Sequence, residues 1–202
     1  MLSFLQNVDT SLFLFLQGTH QPCSDRLFYW MSSIPVWIPL YVALVVWAAF
    51  TWKRRTIWVV LAWVLAVFCT DQSCNLLKKS VKRLRPSHEA VLVGQVQLIT
   101  QPDGNTYTGG KYGFPSAHAA NACTVFFFFV FFIRKKKVCM WLLLLWVLLI
   151  AYSRIYLGVH YPGDILAGFG VGTLWSLLIF HFFHVFLQSR FFLNHHEKKV
   201  SL

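Results

Sequence analysis

Three groups of polar residues interrupt a chain that is otherwise strongly apolar: Lys78 with Arg85-Pro86 after six intervening residues, Pro115-Ser116-Ala117-His118, and Ser153-Arg154 followed by His160 and Asp164. Arginine presents a planar fork of donors that matches phosphate oxygens bidentately, and lysine a compact point charge. Lys78, Arg85 and Arg154 could therefore neutralise a pentavalent phosphoryl transition state without a metal ion. Ser116 stands where a helix should begin. There, free backbone N–H groups and the positive dipole end attract anions, and the serine hydroxyl adds a donor. His160 and Asp164 are four residues apart with Pro162 and Gly163 between them, which puts Asp164 in the first turn of a helix below His160. A carboxylate that accepts one ring N–H fixes the imidazole tautomer and leaves the other nitrogen free to attack phosphorus. His160 is the candidate nucleophile. His118, at a different helix end, is the candidate general acid that protonates the departing alkoxide and later activates water.

Each signal alone has a plainer explanation, since interfacial histidines are usually structural and basic runs usually grip headgroups. Together they fall at the ends of apolar segments, where ionisable residues are costly and mark function by default.

The elements that must position these residues are membrane spans. The composition, 57% hydrophobic and 12% charged, is wrong for an ordinary soluble domain. Crossing about 30 Å of hydrocarbon takes roughly 20 helical residues, and five runs qualify: 27–50, 56–77, 116–133, 138–158 and 164–187. Met1 to Gln17 lacks a basic n-region, carries Asp9, and spaces Leu2, Leu5, Val8, Leu12, Phe13, Phe15 and Leu16 loosely like an amphipathic helix lying in the interface, expected over 1–20. A sixth, shorter buried segment is the alternative. The five cysteines form no CxxC pair, so no zinc site is expected; a Cys23–Cys74 disulfide is conceivable.

Charge placement sets the orientation. Lys53–Arg55, Arg134–Lys137 and the group Arg190, Lys198 and Lys199 separate or follow spans so as to share one side, which the positive-inside rule makes cytoplasmic. The net charge of +11 then reflects topology and anionic headgroups, and no nucleic-acid partner is implied. Eight basic residues nevertheless fall outside, five of them within Lys78–Arg85. That surplus reads either as a solvated run that grips headgroups or as an external phosphate site. The external loop 78–115 is long and punctuated by proline and glycine, as functional loops often are, and Pro102-Asp103-Gly104-Asn105 marks a turn. Lys79 and Lys82 read as headgroup contacts, Asp71 as a structural partner two turns from Lys78, and His181, His184, His195 and His196 as interfacial or tail residues at the opposite face.

The spacings Lys78-x6-Arg85-Pro86, Pro115-Ser116-x-His118 and Ser153-Arg154-x5-His160-x3-Asp164 resemble the three signature motifs of the PAP2 superfamily. That superfamily embraces phosphatidic acid phosphatases, bacterial lipid A and undecaprenyl pyrophosphate phosphatases, and vanadium haloperoxidases. The resemblance implies an all-α fold, a polytopic membrane helical bundle of five to six transmembrane helices forming one domain over 1–202, with a cytoplasmic tail at 190–202. It implies a phosphohistidine on His160, oriented by Asp164, with His118 as acid and Lys78, Arg85, Ser116, Ala117 and Arg154 around the phosphate. One departure is visible: Ala117 stands where the motif usually has glycine. Arg83 often accompanies Arg85 in this motif. The expected activity is metal-independent hydrolysis of a phosphate monoester or pyrophosphate on a membrane lipid, without cofactor or obligate protein partner, at the periplasmic side of a bacterial inner membrane. Lipid A phosphate is slightly preferred over undecaprenyl pyrophosphate and phosphatidylglycerol phosphate. A phosphotransferase using the same site and an anion-binding membrane protein or transporter are the competing readings.

Overall fold

The computed structural model describes residues 2–18, 20–101, 103–133 and 136–200, with side chains described between residues 4 and 185 of those stretches. Seven α-helices account for most of them: α1 (Leu2–Gln17), α2 (Pro22–Ser32), α3 (Ile34–Trp52), α4 (Thr56–Val81), α5 (Ala117–Ile133), α6 (Lys137–Tyr156) and α7 (Pro162–Val200). The run Ile34–Val81, 48 residues long, holds α3 and α4 around a short 3-10 turn, and together with α6 and α7 it is long and apolar enough to cross a membrane. α5 is a shorter apolar helix, wrapped by α4, α6 and α7 and lined with buried Ala119, Ala120, Ala122, Cys123, Phe128 and Phe129.

Besides α7, which runs helically to Val200 past the expected end at 187, two boundaries differ from the sequence reading. The span expected over 27–50 is broken at Ser33, whose backbone is extended between α2 and α3. Pro35 explains the break: it has no N–H to give the carbonyl of Met31, and its ring would clash there. The Trp37 indole N–H donates to that carbonyl instead, at 2.7 Å. The second difference concerns Lys78. α4 runs on to Val81, so Lys78 sits in the last helical turn rather than opening a loop at 78, and the chain reverses at Lys82, which caps the helix in the left-handed conformation. The possible Cys23–Cys74 bridge does not form; Cys23 is exposed on α2, Cys74 is buried in α4, and both are free thiols.

The bundle has a greasy end and a polar end. Leu44, Val59, Trp63, Phe129, Trp146 and Ile150 form the largest buried cluster. Beyond it lie the basic turn Lys53–Arg55 and Lys136–Lys137; Arg134 and Lys135, and the side chains of the 190–202 tail, are outside the described residues. At the other end the N-termini of α5 and α7 converge. Gly168 and Gly172 of α7 press against the backbone carbonyls of Ser116 and Ala120, leaving no room for a Cβ, which is the small-residue packing that lets membrane helices approach closely. This contact brings Ser116 and Asp164 together.

α1 crosses that same end. It turns Asp9, Phe13 and Gln17, one helical turn apart, toward the protein: Phe13 and Gln17 are buried, and the Phe13 ring meets Tyr161 edge-on at 5.5 Å. Phe4, Leu5, Val8, Leu12 and Phe15 point away and are exposed.

Candidate active site

The loop between α4 and α5 is tied down rather than free. Leu84 and Tyr112 form an antiparallel bridge; the N–H of Arg85 donates to the Lys111 carbonyl at 3.2 Å, and that of Gly113 to the Arg83 carbonyl at 2.9 Å. Extended backbone at 83–85 puts Arg83 and Arg85 on one face and Leu84 on the other. A second bridge, Thr100 with Thr106, closes the turn expected at 102–105 and presents Tyr107; Pro102 lies outside the described residues.

His160 lies in the short connection between α6 and α7 and is 1% exposed. Its Nδ1 is 3.4 Å from Asp164 Oδ2, an ion-pair distance without hydrogen-bond alignment. Burial, then the charges of Arg85, Arg154 and Lys78, hold its imidazole well below the ordinary histidine value of 6.5, with the Gly113 backbone pulling the other way. The ring is thus kept neutral. Asp164, fully buried, accepts from the Tyr161 N–H at 3.0 Å and from Arg83 Nη1 at 2.9 Å.

Lys78, Arg85 and Arg154, the three cations expected to hold phosphate, lie within one another's field. Arg85 is buried, donates through Nε to the Tyr112 carbonyl at 3.2 Å, and leaves Nη1 without a partner. Burial and the neighbouring Arg154 push its guanidinium down to about 10, which still leaves it protonated at neutral pH. Arg154, 1% exposed, donates Nη1 to the hydroxyls of Ser32 and of Tyr107, the latter at 3.0 Å, and its Nε is also unpartnered. Lys78 stands in the field of Arg85 and Arg154, and His118 in that of Arg154, His160, Lys78 and Arg85. Unpartnered donors on buried arginines are costly. A bound oxyanion would satisfy them.

Ser116 has partners within the protein. Its N–H donates to the Asp164 carbonyl at 2.9 Å, and its hydroxyl caps α5 by accepting from the Ala119 N–H at 3.5 Å. The N–H groups left for an anion at the start of α5 are those of Ala117 and His118. Ser153 is structural, donating to the Ile150 carbonyl at 2.7 Å. Asp71 accepts from Asn75 at 2.9 Å, Lys79 and Lys82 are exposed, and His181 and His184 lie far along α7 from this end. His195 and His196 are outside the residues with described side chains.

Four participants escaped the sequence reading. Ser32 and Tyr107 hold Arg154, and Arg83, noted there only as a companion of Arg85, bridges Asp164 and Asp9. Gly113 leaves space for Asp164 and Arg85: a Cβ there would stand 2.9 Å from Asp164 Oδ2 and 3.1 Å from Arg85 Cγ. Beside His118 an apolar cavity of about 390 Å³ opens between α3, α4, α5 and α6, walled by Trp37, Tyr41, Val64, Val67, Val125 and Ile150.

The chain is similar to known membrane-lipid phosphatases. The lipid A 4'-phosphatase of Bacteroides thetaiotaomicron is 36% identical over 190 residues, covering 91% of this chain and 80% of its own length. That of Porphyromonas gingivalis is 32% identical over 194 residues, covering 94% and 77%. Among solved structures, the PAP2 type phosphatidylglycerolphosphate phosphatase of Bacillus subtilis superposes with a TM-score of 0.65 at 22% identity over 88% of this chain and 85% of that one. Aquifex aeolicus LpxE does so with 0.60 at 24% identity, over 84% and 93%. These two likenesses concern the fold, a transmembrane helical bundle. Residues 57–188 match the PAP2 superfamily, and this integral membrane protein belongs to it.

Proposed function

We propose that the chain removes phosphate from a membrane lipid through a phosphohistidine on His160, without a metal ion, with lipid A phosphate as the preferred substrate. The observation that carries this reading is the convergence of Lys78, Arg85 and Arg154 on a buried, neutral imidazole. A ring nitrogen of His160 attacks phosphorus, the bond to the lipid oxygen breaks, and His118 protonates that oxygen as it leaves. Asp164 stabilises the positive charge that forms on His160. Water, deprotonated by His118, then breaks the phosphorus–nitrogen bond and frees phosphate. The cations and the Ala117 and His118 N–H groups hold the equatorial oxygens throughout, doing what a metal ion does in other phosphatases.

The apolar cavity beside His118 supports a substrate with a hydrocarbon chain. The choice of lipid A rests on the relatives named for it, which align over nearly the whole chain. Those named decaprenylphosphoryl-5-phosphoribose phosphatase and undecaprenyl-diphosphatase align over 60% and 71%. The basic turn at the opposite end supports a site on the periplasmic side of the inner membrane.

The test is phosphate release, in EDTA, by purified wild type and His160→Ala from lipid A, undecaprenyl pyrophosphate and phosphatidylglycerol phosphate. Release by wild type alone, fastest from lipid A, is expected. Phosphate found on a second lipid would make the protein a transferase, and equal release by both proteins would remove His160 as nucleophile.

A further inference from the structure

The connection that carries His160 is gripped from outside the bundle. Along one face of α1, Asp9, Phe13 and Gln17 each reach it or its flanks. Gln17 Nε2 donates to the Tyr156 carbonyl at 3.3 Å and to the Gln97 carbonyl at 2.7 Å. Phe13 packs on Tyr161, next in sequence to His160. Asp9 does more than pack: Oδ1 accepts from the Gly163 N–H at 2.7 Å, and Oδ2 pairs with Arg83 Nη2 at 2.6 Å. Arg83 in turn gives Nη1 to Asp164 Oδ1 and lies 4.1 Å over the Tyr161 ring.

A single guanidinium is therefore shared between two carboxylates, one beside His160 and one on α1. An arginine held by Asp164 alone would concentrate its charge on that carboxylate and weaken it as a partner for the imidazolium that forms on His160. Asp9 draws part of that charge away and fixes the direction of the fork. Glycine at 163 is what permits this approach, because a Cβ there would stand 2.7 Å from Asp9 Oδ2. Asp9 is also the only carboxylate on α1, a helix whose exposed residues include Phe4, Leu5, Val8, Leu12 and Phe15.

Resting on the phosphohistidine reading above, we infer that Asp9 is a positioning residue for the reaction: through Arg83 and the Gly163 N–H it sets the Asp164 carboxylate against His160. It touches no substrate, so its loss should appear in kcat and not in KM.

The experiment measures kcat, KM and thermal stability of the full-length protein in detergent with radiolabelled lipid A, for wild type, Asp9→Asn, Asp9→Glu, Gly163→Ala and His160→Ala. Asp9→Asn keeps the shape and the acceptor for Gly163 but loses the charge toward Arg83. Its kcat should fall about 10- to 100-fold, the usual range for a residue that orients another through hydrogen bonds, with KM within about twofold and the melting temperature little changed. Asp9→Glu should recover part of the loss. Gly163→Ala, which displaces Asp9 without altering any charge, should also lower kcat alone, and it serves as the test should Asp9→Asn not fold. Wild-type kcat in Asp9→Asn or in folded Gly163→Ala, beside an inactive His160→Ala, would overturn this inference and leave the phosphohistidine reading standing. An active His160→Ala would overturn both.

Discussion

Asp164 divides its two oxygens between the residues that flank it in space: Oδ2 lies 3.4 Å from His160 Nδ1, while Oδ1 takes Arg83 at 2.9 Å. The carboxylate is fully buried, so both contacts act in a low-dielectric environment. Asp164→Asn should lower kcat by roughly a thousandfold, because an amide can present its NH2 to the ring and select the wrong tautomer. It should also lower thermal stability, since one partner of a buried ion pair is removed. Steady-state kinetics and a melting curve on the same preparation check both.

Gly113 separates Asp164 from Arg85, with a virtual Cβ 2.9 Å from the one and 3.1 Å from the other. Neither neighbour is the free end of an exposed chain. Gly113→Ala should therefore misplace the site and reduce kcat/KM by about a hundredfold, the scale associated with a shift of about 1 Å in a reacting group. Wild-type kinetics in a folded Gly113→Ala protein would show that the spacing is not needed.

Tyr107 holds Arg154 from the external loop through a 3.0 Å hydrogen bond. A hydrogen bond to a charged group contributes about 1.5–3 kcal/mol, so Tyr107→Phe should cost roughly 10- to 100-fold in kcat/KM if that bond sets the fork for the transition state. Arg154 keeps Ser32 as its other partner, so the protein should still fold.

The pH dependence follows from the lowered pKa of His160. Phosphoenzyme formation needs the neutral ring, so its rate should hold as pH falls through 6.5 and decline only well below it. Stability is lost in the same direction, but the loss begins at a higher pH. Below 6.5 the unfolded chain binds a proton that the folded protein refuses, so this histidine's contribution is complete above 6.5 and is lost as pH falls toward the folded value. Rapid-quench kinetics and melting temperatures between neutral pH and about pH 5 separate the two.

The motif residues were legible because their chemistry is rare at membrane depth: His160, Asp164, Arg154 and Arg85 could be singled out against an apolar background. Most helices were legible in advance, α1 from its amphipathic spacing and the others as apolar runs, with α2 and α3 merged into one. Three things were not. The break at Ser33 depends on Pro35, whose effect a sliding apolar run conceals, although the proline was there to be read. The use of the Ser116 N–H by Asp164 arises only when Gly168 and Gly172 let α7 touch α5, and such a contact leaves no mark at residue 116. Tyr107, Ser32 and Asp9 act across separations of 47, 122 and 74 residues from their partners, and nothing local distinguishes them from ordinary loop or helix residues.

The most direct measurement is the site of covalent phosphorylation. Wild-type protein mixed rapidly with radiolabelled lipid A, denatured in alkali and digested should carry acid-labile, alkali-stable label on the peptide containing His160, and His160→Ala should carry none. Label on His118 or on a serine, or full turnover with no labelled protein at any time, would contradict a His160 nucleophile.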